Sequence, residues 1–280
     1  MTAPAVWSRP GLDALLASFS SVLVGYSGGV DSALVAVLAR RALGRDRLLA
    51  AIGTSASLPD AQRTQALDIA QAFDVPVLEV PTSELDDANY VANRPDRCYF
   101  CKRELWSKLA AVARGRGLAV VVDGTHADDV VEHRPGMRAA RESQIRSPLA
   151  EAGLTKVDVR TMARALGIPI WDAPAAPCLS SRVRYGLSVT PERLRQVERG
   201  EAILRGAGVR GDLRVRHRGL EARIEVLPVE FDRVRANATE IGSALLELGF
   251  SLVTLDLEGY RRGSLLAGGQ SRFEVLAPPA

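Results

Sequence analysis

The hexapeptide Ser27-Gly28-Gly29-Val30-Asp31-Ser32 joins a short apolar run, Val22-Leu23-Val24-Gly25-Tyr26, to a segment in which Leu34, Val35, Val37 and Leu38 recur at helical spacing. A strand that turns through two glycines directly into a helix constrains the fold more than any other feature of the chain. Glycine lets the main chain approach a ligand closely. The free N–H groups of the first helical turn then face an anion, helped by the helix dipole. The hydroxyls of Ser27 and Ser32 can add hydrogen bonds. Asp31 repels phosphate, so its expected role is to hold Mg²⁺ on a bound pyrophosphate. No Gly-Lys-Ser/Thr follows the glycines, so no lysine of this loop reaches toward a γ-phosphate.

The strand–helix alternation continues. Residues 48–53 read as a second strand, 59–73 as a helix with Ala66, Ile69, Ala70 and Phe73 on one face, and 75–80 as a third strand. A helix over 102–114 and a fourth strand over 118–123 follow. A helix over 157–166, with Thr155 near its start and Gly167 at its end, leads to a fifth strand beginning at Ile168-Pro169-Ile170. This order predicts an α/β fold with a parallel sheet covered by helices on both faces. Ala173-Pro174-Ala175-Ala176-Pro177 reads as a linker. Beyond it come a helix over 191–204, a strand pair at 213–217 and 222–227, a helix over 229–248 and a strand over 250–257. Two domains are expected: an α/β domain over 1–176 and a small α+β domain over 177–280.

Composition excludes some classes. No run approaches the roughly 20 apolar residues of a membrane span. Residues 1–10 lack the basic flank and apolar core of a signal peptide, so the chain is expected in the cytoplasm. The formal net charge of +3 is weak grounds for nucleic-acid binding. The three cysteines, an odd count, argue against a disulfide framework. Cys98-Tyr99-Phe100-Cys101 is a CxxC, which fits half of a zinc site completed by His126 or His133, a redox pair, part of an iron–sulfur site, or two inert thiols. Cys178 precedes Leu179-Ser180-Ser181-Arg182, and a neighbouring guanidinium favours thiolate, the nucleophilic form. A buried structural cysteine is the alternative reading.

The Ser27–Ser32 loop resembles that of the PP-loop ATP pyrophosphatases, a family with GMP, NAD and asparagine synthetases and several tRNA-thiolating enzymes. The resemblance implies that ATP adenylylates a substrate oxygen and pyrophosphate leaves. It also implies an adenine side built by Gly53-Thr54-Ser55 and by Gly124-Thr125. Further stretches are similar to the LarE-type sulfur transferases: residues 123–129 (Asp-Gly-Thr-His-Ala-Asp-Asp), 133–139 (His-Arg-Pro-Gly-Met-Arg-Ala), 146–149, 156–160, 177–186 and 256–264. The Cys-Leu-Ser-Ser-Arg and Gly-Tyr-Arg-Arg-Gly-Ser stretches are the most specific.

For these enzymes the resemblance implies adenylylation of a carboxylate of pyridinium-3,5-dicarboxylate mononucleotide, a precursor of the nickel-pincer nucleotide. The thiolate of Cys178 would attack the acyl-adenylate, and the C–S bond would then break to leave dehydroalanine. Cys98, Cys101 and Cys178 form a set that related three-cysteine members use to hold a [4Fe-4S] cluster with one open iron, on which an extra sulfide could be the sulfur delivered. Arg214, Arg216 and Arg261 match phosphate-binding positions, with Arg214 and Arg261 ahead of Arg216. Glu198 and Glu201 are candidates for proton removal in C–S cleavage. Relatives form homo-oligomers, including hexamers. A tRNA-thiolating enzyme is the runner-up, which salt-dependent tRNA binding would reveal. An ammonia-dependent amide synthetase and a non-catalytic nucleotide-binding module are further alternatives.

Overall fold

The computed structural model describes residues 9–131, 135–174, 177–261 and 272–277. His133, Ala175, Ala176 and the 262–264 part of the Gly-Tyr-Arg-Arg-Gly-Ser stretch lie outside them. The chain divides into two compact units, 1–84 with 96–176, and 85–95 with 177–280. Residues 85–95, read from sequence with the first domain, thus count with the second unit.

In the first unit, α1 (Pro10–Ser18) leads to β1 (Val22–Gly25), α2 (Val30–Leu43), β2 (Leu48–Thr54), α3 (Asp60–Ala72) and β3 (Val77–Pro81). After 85–95, α5 (Arg97–Gly115), β4 (Val120–Val122), α6 (Ala127–Val131), α7 (Pro135–Glu142), α8 (Pro148–Glu151) and α9 (Lys156–Ala165) complete it. The four strands are parallel in the order β3-β2-β1-β4. Both faces are covered. Leu34, Val35, Leu38, Val159 and Met162 pack on one side, Trp106, Leu109 and Ala113 of α5 on the other. Strands buried on two faces are apolar throughout, which is why Val22-Leu23-Val24 shows no alternation.

The expected fifth strand at 168–170 is a turn. Pro169 has no N–H to offer a ladder. Ile168 instead donates its N–H back to Ala163 O, and Ile168 and Ile170 bury into the helical side of the core. The position beside β4 is taken by Arg146, which bridges Val122 in parallel. The helix expected from Lys102 begins earlier, at Arg97, so both cysteines of the CxxC lie in its first turns.

In the second unit, the short α4 (Ala88–Val91) is followed by α10 (Pro191–Gly206), β5 (Leu213–His217), β6 (Glu221–Val226), α11 (Phe231–Ala236), α12 (Ala238–Glu247), β7 (Leu252–Asp256) and β8 (Phe273–Ala277). The sheet runs β5-β6-β7-β8, with β6 and β7 parallel and the other pairs antiparallel. One face packs Leu213, Val215, Ile224 and Leu255 against Leu204, Val234, Ile241 and Leu245. The alternate positions carry Arg214, Arg216, Arg223, Glu225, Thr254 and Asp256, all buried. The single helix expected over 229–248 is two. Asn237 stops the first by folding its side-chain amide onto Arg233 O at 2.8 Å, an alternative to continuing the helical ladder. Strand β8 was not anticipated.

His217 sits on the apolar side of β5, tilted against Phe250, with Nε2 2.9 Å from Gln196 Oε1. Burial, and then the nearby Arg193 charge, pull its imidazole down from 6.5 to about 4. The folded protein thus keeps His217 neutral where the unfolded chain protonates it. This contribution is complete above pH 6.5 and is expected to shrink by on the order of 2 kcal/mol as pH falls toward 4. His217→Gln should flatten that part of a plot of urea midpoint against pH. An unchanged slope would remove His217 as the source.

Candidate active site

In the first unit the chain runs from β1 outward to β3 and then returns to place β4 on the other side of β1. Ligands of parallel sheets bind at such a reversal, beyond the carboxyl ends of the strands. The turn after β1 stands there. Gly28 has φ +75°, and a Cβ on it would lie 2.6 Å from Ala66 Cβ. Only glycine makes this turn against α3. The Ser32 hydroxyl donates to Gly29 O at 3.0 Å, accepts from Ser27 N at 3.2 Å and meets Ser27 Oγ at 3.2 Å. Gln62 donates to Ser27 O at 2.7 Å. The loop is thus set before any anion arrives.

On the other side, the turn after β4 lies directly on the start of α2. A Cβ on Gly124 would fall 2.6 Å from Ser32 N. Buried Asp123 organises this turn: it accepts from Thr125 N (3.0 Å), Thr125 Oγ1 (2.8 Å) and Ser147 Oγ (2.8 Å). Asp31 does not stand alone. Lys156 Nζ lies 2.5 and 2.7 Å from its two carboxylate oxygens. A capping box between Thr155 and Asp158 fixes the start of α9, and hence Lys156. Ser55, at the end of β2, donates to Glu84 at 2.5 Å together with Ser57 at 2.8 Å. His126 is buried, with Nε2 3.3 Å from Asp129.

Cys98 is exposed and Cys101 half-buried, in this first unit, and neither is in a disulfide. Tyr99 between them donates its hydroxyl to Glu142 at 2.6 Å and lies under the Arg138 guanidinium. Among the described residues, no three His, Cys, Asp or Glu side chains gather into a group that could hold a metal ion.

In the second unit, Cys178 is a half-buried free thiol at the start of a 3₁₀ turn, Leu179–Arg182. Buried Arg182 donates to the carbonyls of Pro177 and Cys178, the latter at 3.0 Å. Its other edge makes a two-point bond to Glu201 at 2.9 and 3.2 Å. So the guanidinium holds the cysteine's backbone, and Glu201 holds the guanidinium. Glu198 lies one turn earlier on α10 and is half-buried. Residues 85–95 tie the same loop. Tyr90 meets Ser180 Oγ at 2.5 Å, and Asn93 donates to Val183 O, Arg184 O and Leu187 O.

The three C-terminal arginines differ. Arg216 is joined twice to Glu225, at 2.9 and 2.7 Å, and donates to Ser181 O. Arg261 is half-exposed and pairs with Glu258 and, at 3.9 Å, Asp256. Arg214 is buried and, among the described residues, makes no carboxylate ion pair; its guanidinium lies 5.2 Å from the Tyr260 ring centroid. Burial, and next the Arg182 charge, pull it below the ordinary arginine range. The Glu201 charge offsets part of the cost of burying this cation, and a bound anion would offset more.

Sequence reasoning missed Lys156, Glu84, Gln62, Tyr90 and Asn93 as parts of these sites. Only Lys156 left a signal, as the first residue after a capping Thr.

A parallel sheet with a Ser-Gly-Gly-Val-Asp-Ser turn at its switch point defines the PP-loop class of ATP-using enzymes, and residues 15–118 match the NAD synthase family. Pyridinium-3,5-bisthiocarboxylic acid mononucleotide synthase of Lactiplantibacillus plantarum is 35% identical over 254 residues, covering 91% of this chain and 92% of that protein. An uncharacterized protein of Synechocystis sp. is 42% identical over 245 residues, 87% of this chain and 91% of its own. An uncharacterized protein of Methanocaldococcus jannaschii is 30% identical over 240 residues, 86% and 90% of the two chains. The chain belongs to the LarE-type family of PP-loop enzymes, the family of the Lactiplantibacillus synthase. Among the described residues no helix is long and apolar enough to cross a membrane.

Proposed function

We propose that this protein is an ATP-dependent sulfur transferase that converts a carboxylate of pyridinium-3,5-dicarboxylate mononucleotide to a thiocarboxylate. The observation that best supports this reading is in the second unit. A free thiol, Cys178, sits on a loop pinned by Arg182, in a unit that also buries Arg214 with no carboxylate ion pair among the described residues.

The turn at Ser27–Ser32 binds the triphosphate, and Asp31, bonded here to Lys156, would hold Mg²⁺ on it. Ser55, Gly124 and Thr125 border the adenine. The substrate carboxylate attacks the α-phosphorus and pyrophosphate leaves, giving an acyl-adenylate. Arg214, with Arg216 and Arg261, binds the phosphate of the mononucleotide; arginine forks match phosphate oxygens. The Cys178 thiolate attacks the acyl carbon and AMP leaves, forming a thioester. Glu198 or Glu201 then takes the Cα proton of Cys178, the Cβ–S bond breaks, and the thiocarboxylate departs, leaving dehydroalanine.

Cys98, Cys101 and Cys178 are also the thiols that would hold a [4Fe-4S] cluster; none of the three is in a disulfide, and thiolate is the ligand such a cluster takes. When bound, it would supply an open iron carrying an exchangeable sulfide. A cytoplasmic homo-oligomer, the state that the family resemblance implies, belongs to the same proposal.

The test supplies MgATP and the pyridinium dicarboxylate mononucleotide to anaerobically purified protein, with iron and sulfide analysis beforehand. AMP, pyrophosphate and thiocarboxylate are expected in step. Arg214→Met should raise KM for the mononucleotide by about 10–100-fold and leave ATP binding unchanged, the cost of one charge-assisted hydrogen bond. Pyrophosphate release without thiocarboxylate would overturn the sulfur-transfer reading. Tight tRNA binding at moderate salt would replace it with tRNA thiolation.

A further inference from the structure

Glu84 is 2% exposed, yet it belongs to no ion pair among the described residues. It stands just beyond β3, beside the end of β2. One of its oxygens, Oε1, takes the hydroxyls of Ser55 (2.5 Å) and Ser57 (2.8 Å), and these two hydroxyls are 2.8 Å apart. The other, Oε2, is buried without a partner. A carboxylate is an acceptor only. However the two serine protons are distributed over these three contacts, both are used within the cluster. Ser57 N–H also points at Ser55 Oγ, at 3.2 Å. What Ser55 can still offer to a ligand is therefore a lone pair and never a proton.

The turn after β4 repeats the device. Asp123 takes the proton of Thr125 Oγ1 and that of Ser147 Oγ, so Thr125 also presents lone pairs only. In the order β3-β2-β1-β4 the strands β2 and β4 lie on either side of β1, so both of these turns border its phosphate turn. On both flanks the hydroxyls at the strand ends accept and do not donate.

We propose that Glu84, through Ser55, sets the base specificity of the nucleotide site, making it select a purine that carries an exocyclic amine at C6. Adenine offers N6–H₂ to such a lone pair. Hypoxanthine offers O6, and two lone pairs facing each other repel. Glu84 is a positioning residue here: it touches no substrate and acts by orienting the Ser55 hydroxyl. The inference rests on the reading of this site as the ATP site.

The test is calorimetric binding of ATP and of inosine triphosphate, both with Mg²⁺ and without acceptor substrate. Wild-type protein should prefer ATP by about tenfold or more, the worth of one hydrogen bond replaced by a repulsion. In Glu84→Gln the amide group can turn its NH₂ toward both serines, which frees their protons to point at the ligand. The ATP-to-inosine ratio should then fall toward one, with ATP binding retained. Ser55→Ala is the second variant; it should weaken ATP and, with the repelling lone pair gone, tighten inosine triphosphate, so the ratio again falls toward one, and its small size spares the fold should Glu84→Gln fail to accumulate. An unaltered ratio in both variants would overturn the proposal. Binding of neither nucleotide by wild-type protein would instead overturn the ATP reading beneath it.

Discussion

Cys178→Ala is expected to abolish thiocarboxylate formation, by at least about a thousandfold, while ATP is still cleaved to pyrophosphate in the presence of the pyridinium substrate. Removing a nucleophile typically costs several orders of magnitude, because the remaining groups cannot replace the bond it forms. The residues proposed for adenylylation belong to the first unit, and none of the contacts that shape the Ser27–Ser32 turn involves Cys178. The variant should also fold. Cys178 is half-buried, and its loop is held by Arg182 and by Tyr90 and Asn93 rather than by the sulfur. A stability change within about 0.5 kcal/mol is expected. Intact mass separates the two sulfur sources in wild-type protein. Loss of one H₂S per turnover marks Cys178 as the donor, and an unchanged mass through repeated turnovers marks a cluster-bound sulfide. Thiocarboxylate formed by the alanine variant at the wild-type rate would exclude both.

The first unit was legible because its signals are local. Apolar runs buried on both faces, glycines at a strand end and helical spacing all lie within about ten residues of each other, and they gave the parallel sheet and its phosphate turn. What failed was local pattern without tertiary context. Ile168-Pro169-Ile170 has the composition of a strand, yet it buries the same isoleucines from a turn. The second unit was harder. Its buried arginines and glutamates alternate with core residues along β5 and β6, and a charged alternate position in sequence reads as solvent-facing. Arg214 could be named as a phosphate ligand from resemblance, but that it makes no carboxylate ion pair among the described residues while Arg216 does depends on Glu225, on a neighbouring strand, which bonds Arg216. Lys156 and Glu84 are separated from their partners by 125 and 29 positions, and no spacing rule connects them.

Gly124→Ala is expected to remove nucleotide binding and to destabilise the first unit by roughly 1–3 kcal/mol, the usual cost of forcing a methyl group into a packed site. Gly124 does not have positive φ, so backbone strain is not the cause. Space is. The added Cβ would meet Ser32 N at 2.6 Å, Asp31 C at 2.8 Å and Ser32 Cα at 3.0 Å. All three are main-chain atoms of the first turn of α2, which is anchored in the core by Leu34, Val35 and Leu38. No side chain is there to swing aside, so the turn after β4 or the start of α2 must move. Either movement misaligns the N–H groups that face the phosphates, and a displacement near 1 Å at such a site costs about a hundredfold. Gly115→Ala is the control. Nothing lies within 4 Å of its Cβ, its φ is negative, and it ends a helix, so it should be neutral or slightly stabilising. The comparison is read from urea midpoints and from MgATP calorimetry on both variants. Wild-type affinity in Gly124→Ala, with an unchanged midpoint, would mean that the close packing of β4's turn on α2 does not shape the phosphate site.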